Sequence, residues 1–264
     1  MRSQTAFSLV NVSLSYGDHR VIDRCQLDID QGSFTAIIGP NGCGKSTLLR
    51  AMSRLMSPCE GHILCEGEDL YRISPRQAAQ RVALLSQSAQ APSGITVAQL
   101  VGRGRYPHQD IWHRFSKADR KAVNDAMERT EIADLADRSL DSLSGGQRQR
   151  VWVAMALCQE TRIVLLDEPT TYLDIAHQIQ LMDLFTSLHR EGRTIVAVLH
   201  DLNQAARYAE TIVALSRGKI VAHGKAREVI TSENIEKVYG LRSVIADDPQ
   251  TNTPMVIPCT DQRW

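Results

Sequence analysis

The sequence has no excess of charge of either sign. Lys and Arg number 30 and Asp and Glu number 30, so the formal net charge is zero. Nucleic-acid binders usually carry a basic excess or stripe, and this balance weighs against one, while leaving room for a local basic patch. Long apolar runs are also missing. A bilayer-spanning helix needs about 20 apolar residues, whereas the longest runs here, 163–166 and 195–199, are strand-sized. Residues 1–10 hold one Arg and no extended apolar core, so they do not read as a secretory signal. The six cysteines form no C-x-x-C pair, no His falls at zinc-finger spacing, and the eight histidines are scattered. Reduced thiols in a cytosolic protein are the expectation, with any membrane association supplied by a partner.

What is present is the composition of a globular protein, 43% hydrophobic and 23% charged over 264 residues. That length is enough for one large domain, or one domain with a subdomain. Alternating apolar positions at Phe7, Leu9, Val12 and Leu14, a turn at Tyr16-Gly17-Asp18, and a second alternating run over 21–29 predict an antiparallel opening sheet. A compact apolar run over 34–38 ends in glycine, and helical spacing follows over 45–56. Ser74-Pro75 predicts a capped helix start, and Thr96 and Ser116 two more. Strands are predicted at 82–85, 163–166, 194–199, 211–215 and 219–222, with a helix over 175–190. The predicted fold class is α/β. A mostly parallel core sheet carries an antiparallel N-terminal β subdomain (1–87 and 160–264 together), with a mainly helical segment inserted over 88–159.

Three stretches carry chemistry. Gly39-Pro40-Asn41-Gly42-Cys43-Gly44-Lys45-Ser46, followed by Thr47, fits G-x-x-x-x-G-K-[ST] between an apolar strand and an amphipathic helix. Glycines let such a backbone fold tightly and aim N–H groups inward. With the helix N-terminus they make an anion cradle, to which Lys45 adds a point charge and Ser46 a hydroxyl for Mg2+. The apolar strand at 163–166 ends in Asp167-Glu168, where a parallel strand delivers groups to a ligand. Asp167 is placed to hold Mg2+ through water, and Glu168 to polarise an attacking water. Leu143-Ser144-Gly145-Gly146-Gln147 opens a helix and makes either a second anion site or a plain capped turn.

Leu143 to Gln147 resembles the signature motif of ABC ATPases, and the rest of that family's set follows in order. Gln87 falls where the Q-loop glutamine does. Thr171-Tyr172-Leu173-Asp174 resembles the D-loop, His200 the switch histidine, and Tyr16 the aromatic that stacks on adenine. The resemblance covers nearly the whole chain as a single ABC domain, 1–264. It implies ATP and Mg2+ as ligands and a head-to-tail homodimer with two ATP molecules between the copies. Each ATP would lie on one copy's phosphate loop and under Ser144, Gly145, Gly146 and Gln147 of the other, with Asp174 nearby. Glu168, His200 and Gln87 would be the catalytic set, and Ser46, Gln87 and Asp167 the metal set.

One such domain, no fused membrane helices and no long coiled coil favour an importer's energy subunit over a soluble ABC protein acting on nucleic acid or in assembly. The stretch from Thr170 to Gln178, residues 102–109, Asp247-Asp248-Pro249 and Thr253-Pro254 resemble ferric-siderophore importer ATPases, with catecholate (enterobactin-like) cargo preferred over cobalamin or haem. This implies two integral membrane permease subunits, a siderophore-binding protein upstream, no nucleic acid, and a place on the cytoplasmic face of the inner membrane. The segment 89–134 is expected to carry the permease contact, with Tyr106 or Arg105 near its groove.

Overall fold

The computed structural model describes residues 4–87, 90–109, 115–171 and 173–259. The chain forms two compact units, 1–72 with 194–264, and 73–193.

The first unit opens on β1 (Thr5–Tyr16) and β2 (His19–Asp30), an antiparallel pair. β3 (Phe34–Ile38) follows, buried at all five positions as a central parallel strand requires. The chain then turns into α1 (Lys45–Met52). Helical spacing predicts this helix out to residue 56, but it stops four residues earlier. Arg54 takes a left-handed φ of 65°, and the N–H groups of Leu55 and Met56 both fold back onto the Arg50 carbonyl. β4 (Glu60–Cys65) and β5 (Glu68–Asp69) complete an antiparallel sheet in the order β2-β1-β4-β5.

The second unit holds α2 (Pro75–Arg81), β6 (Val82–Leu85), α3 (Val97–Gly102), α4 (Lys117–Arg129), α5 (Gly145–Cys158), β7 (Ile163–Asp167) and α6 (Ile175–Arg190). β6 and β7 pair in parallel, and α3 and α4 pack on α5. The predicted starts at Ser74, Thr96 and Ser116 are full capping boxes.

The chain returns to the first unit through β8 (Thr194–Val198), α7 (Leu202–Tyr208), β9 (Thr211–Ser216), β10 (Lys219–Gly224), α8 (Ala226–Val229), α9 (Ser232–Tyr239), β11 (Ser243–Asp247) and β12 (Pro254–Pro258). There β3 lies between β8 and β9, parallel to both, and β10 runs antiparallel beside β9. The fold is α/β, rich in parallel strands, with a separate antiparallel sheet.

Beyond β11, Asp248 ties the C-terminal turn down. Its carboxylate accepts from Arg207 Nε at 3.2 Å and Nη2 at 2.5 Å, and from the N–H groups of Gln250 and Thr251. The Arg207 guanidinium, with those amides, holds the Asp248 carboxyl down at about 2. Because the folded value lies below the unfolded one, this stabilisation is present above about pH 4 and is lost as pH falls towards the folded value. Thermal unfolding followed at stepped pH should therefore show a loss of Tm across that acid window. Asp248→Asn should lower Tm at neutral pH and flatten the same window.

Candidate functional site

The residues of the predicted phosphate loop lie in the first unit. Positive φ values at Gly39 (153°), Gly42 (76°) and Gly44 (109°) fold the loop after β3 into a tight coil. A Cβ on Gly39 would stand 2.1 Å from the Leu215 carbonyl, which leaves no room for a side chain, and one on Gly44 would push the Ile22 methyl, 2.6 Å away, at a φ that strains any residue but glycine. Lys45 is 5% exposed and its ammonium donates to the carbonyls of Gly39 at 2.8 Å and Pro40 at 3.0 Å. Cys43 is buried, and that burial pushes its thiol up. Ser46 and Thr47 sit in the first turn of α1.

The start of α1 differs from those of the other helices of eight or more residues. A hydroxyl or carboxylate caps α4, α5, α6 and α9, whereas Gly44 offers α1 no side chain and the first turn holds no acid. Its N–H groups and dipole therefore suit an anionic ligand. Tyr16, half exposed at 49%, stands beside this helix and accepts a hydrogen bond from Arg50 Nη1 at 3.2 Å. That bond, and a second with Thr47, lower the phenol's pKa. His200 is exposed just beyond the end of β8.

The predicted carboxylate pair lies in the second unit. Asp167 is the buried last residue of β7, and Glu168 follows with a left-handed φ of 53°. Such a backbone costs about 1–3 kcal/mol in a residue other than glycine. β6 and β7 run in register, Val82 beside Ile163 and Leu85 beside Leu166. The same offset of 81 places Gln87 opposite Glu168, and Gln87 Nε2 donates to Glu168 Oε2 at 2.5 Å. The Thr171 hydroxyl also reaches that oxygen, at 3.4 Å.

In the same unit Ser144 caps α5. Its hydroxyl accepts from the Gln147 N–H while the Gln147 side chain accepts from the Ser144 N–H. A hydroxyl that accepts still has its own hydrogen to give. A Cβ on Gly145 would meet nothing within 4 Å, and one on Gly146 only a Leu173 methyl at 3.3 Å. Asp174 caps α6 and also bonds the His177 ring. Tyr172 lies outside the described residues, as do Ser88 and Ala89 at the start of the inserted segment.

Among the structures and proteins this chain resembles, the family model described as ABC transporter matches residues 22–171. The chain belongs to the ABC transporter family. It is 56% identical to the ferric enterobactin transport ATP-binding protein FepC of Escherichia coli (strain K12), over 94% of this chain and 92% of that protein. It is 49% identical to YusV of Bacillus subtilis (strain 168), named as a siderophore transport system ATP-binding protein, over 96% and 93%. A solved structure of a metal-chelate type ABC transporter in an inward-facing conformation matches with a TM-score of 0.84 at 28% identity, covering 97% of this chain and 98% of that one. A second, the ATP-binding cassette MJ0796 as a dimer bound to ADP and Pi, matches at 0.74 and 28%, covering 83% and 98%. As an ABC ATPase the chain binds ATP, and no helix among its described residues is long and apolar enough to cross a membrane.

The second unit also carries a groove of about 680 Å³ lined by Ile95, Ala98, Gly102, Tyr106 and Phe115 among others. Tyr106 is 62% exposed on its rim. Arg105, the other residue expected there, is instead 6% exposed. It donates to Asp119 at 2.9 Å, to Glu160 at 2.6 Å and to the Cys158 carbonyl. Nothing in the sequence announces this, because its partners lie 14 and 55 residues away. Burial works against both charges of the Arg105–Asp119 pair. Their hydrogen bonds outweigh it, raising the Arg105 pKa and lowering that of Asp119. Breaking a buried pair by removing one partner costs about 3–5 kcal/mol, and Arg105→Ala should lose stability of that order in urea unfolding. Tyr106→Ala, on the surface, should stay within about 0.5 kcal/mol of the parent.

Proposed function

We propose that this chain is the ATP-hydrolysing subunit of an importer for ferric siderophores, with catecholate cargo of the enterobactin type preferred. The likeness to FepC over nearly the full length of both chains carries the choice of cargo. Cobalamin import is the alternative, since a cobalamin import ATP-binding protein of Halobacterium salinarum is 40% identical over 92% of this chain. In this reading 1–264 is one ABC domain with its signature segment inserted over 88–159. It works as a homodimer on two permease subunits at the cytoplasmic face of the inner membrane. Those permeases receive cargo from a siderophore-binding protein.

The roles follow from chemistry. Lys45 and the backbone amides from Gly39 through Thr47, Pro40 excepted, hold the phosphates, and Tyr16 supports the adenine ring. Ser144, with Gly145, Gly146 and Gln147, offers a donor hydroxyl and open backbone to the γ-phosphate held by the opposite copy, and Asp174 stands at that junction. Ser46, Gln87 and Asp167 present only oxygen donors, the set that suits Mg2+, which supplies charge neutralisation on the phosphates. Glu168 accepts a proton from the attacking water while Gln87 and Thr171 orient its carboxylate, and His200 contacts the γ-phosphate. The groove beside Tyr106 receives a cytoplasmic helix of the permease.

Glu168→Gln should keep ATP affinity and lose about 10²–10⁴-fold in turnover, the span of a positioned base. Equilibrium binding and single-turnover hydrolysis measure the two separately, and normal turnover would remove Glu168 from this role. For cargo, a deletion strain grown under iron limitation and fed one siderophore at a time should fail first on the catecholate complex. A defect in cobalamin uptake alone would transfer the chain to the alternative. A Tyr106→Ala chain that restores full growth and copurifies with the permease would remove the groove from this reading.

A further inference from the structure

We propose that the turn between β9 and β10, together with the last residue of α9, forms a rear clasp on the phosphate loop, with Gly218 and Tyr239 as positioning residues for nucleotide binding. The inference rests on the reading that residues 39–47 hold the phosphates. Both positions lie beyond residue 171, where the family match ends.

Three contacts support the clasp, all within the first unit. The Gly218 N–H donates to the Cys43 carbonyl at 3.1 Å, and the Gly218 carbonyl accepts from the Asp23 N–H of β2 at 3.2 Å. This residue therefore bridges the loop to the antiparallel sheet. It has a φ of 73°, and a Cβ there would meet the Val21 carbonyl at 2.2 Å, so only glycine fits. The Leu215 carbonyl of β9 closes the space behind Gly39, where a Cβ would stand 2.1 Å away. Tyr239 adds the third contact. Its phenol oxygen is buried, with the Gly39 amide near enough to temper the rise of its pKa but not in full hydrogen-bonding geometry. Burial pushes that phenol well above its usual range.

α9 is well fixed for this task. Thr231 caps its start, the Asn234 side chain donates to the Val229 carbonyl, Ile235 and Val238 are buried, and left-handed Gly240 ends it directly after Tyr239. A buried hydroxyl held short of full hydrogen-bonding geometry gives no net stabilisation, so the ring is the working part. Under this proposal it limits the conformations available to the amides that face the phosphates. Binding is tighter when such a loop is held in its bound shape beforehand.

The discriminating measurement is the Kd for a fluorescent ATP analogue with Mg2+, taken with binding stoichiometry on the full-length chain. Tyr239→Ala should weaken binding about fivefold or more at unchanged stoichiometry, and Tyr239→Phe should restore it. Gly218→Ala should weaken it similarly. A purely structural defect would lower the stoichiometry and leave the Kd of the folded fraction alone. Should Tyr239→Ala fail to fold, Tyr239→Leu, apolar but without a ring, should show an intermediate Kd. A folded Tyr239→Ala or Tyr239→Leu chain with the parental Kd would overturn the clasp, and so would a Tyr239→Phe chain as weak as Tyr239→Ala. Lys45→Ala separates the two levels. If it abolishes binding while the Tyr239 variants do not weaken it, only the clasp fails. If it binds normally, the phosphate-loop reading fails as well.

Discussion

The Lys45 ammonium is a buried cation held by the loop it belongs to. A charge taken out of water must be hydrogen-bonded, and here the carbonyls of Gly39 and Pro40 accept two of its three hydrogens. That constraint shapes the loop. Its carbonyls turn towards the lysine, and the positive φ values at Gly39, Gly42 and Gly44 make this turn without side-chain strain. The same backbone leaves the start of α1 without a side-chain cap. One lysine hydrogen and the helix amides then remain for an anion, so part of the loop's shape comes from interactions it makes within itself.

The second unit is organised on the opposite principle. Four of its helices begin in capping boxes, at Ser74, Thr96, Ser116 and Ser144, so their ends are satisfied locally. A capped end is typically worth about 1 kcal/mol and fixes where the helix begins. Ser144 shows how such an end can still serve a ligand. It accepts from its own helix and keeps a hydrogen to donate, so the signature segment does not need to lose its cap to bind a phosphate oxygen.

These local devices explain why much of the chain was legible from sequence. The capping serines, the glycines of the phosphate loop and the continuous apolar runs of β3, β7 and β8 each act within a few residues. The features that were not legible act over distance. Arg105 reads as a surface arginine in a polar loop until Asp119 and Glu160 fold around it. The β11–β12 hairpin pairs Val244 with Ile257 on an exposed face, so its residues lack the clean in-and-out alternation that marks a strand with a buried side. The left-handed backbone of Glu168 is invisible because its residue type gives no hint of it, and Tyr239 sits in an ordinary amphipathic helix.

The meeting of Gln87 with Glu168 was legible only in part, and its origin bears on how the site could respond to a partner. Each residue lies two positions past the last registered pair, and parallel register carries the pairing of Leu85 with Leu166 forward to them. The link between the two side chains is therefore set by the sheet, whose hydrogen bonds resist sliding because a one-residue slip would turn every side chain to the other face. Beyond Gln87 a segment of the chain leads to the groove, which Ile95 and Ala98 help to line. Under the proposed docking, a pull on that segment reaches Gln87 before it reaches any strand. It is felt at Glu168 as the loss or gain of one hydrogen bond to a carboxylate already held in an unfavourable backbone conformation. A carboxylate with one oxygen bound to an amide donor and its backbone near the edge of the allowed region has few orientations. A small displacement at Gln87 would then change its aim more than its position, which is the property that hydrolysis gated by a partner requires.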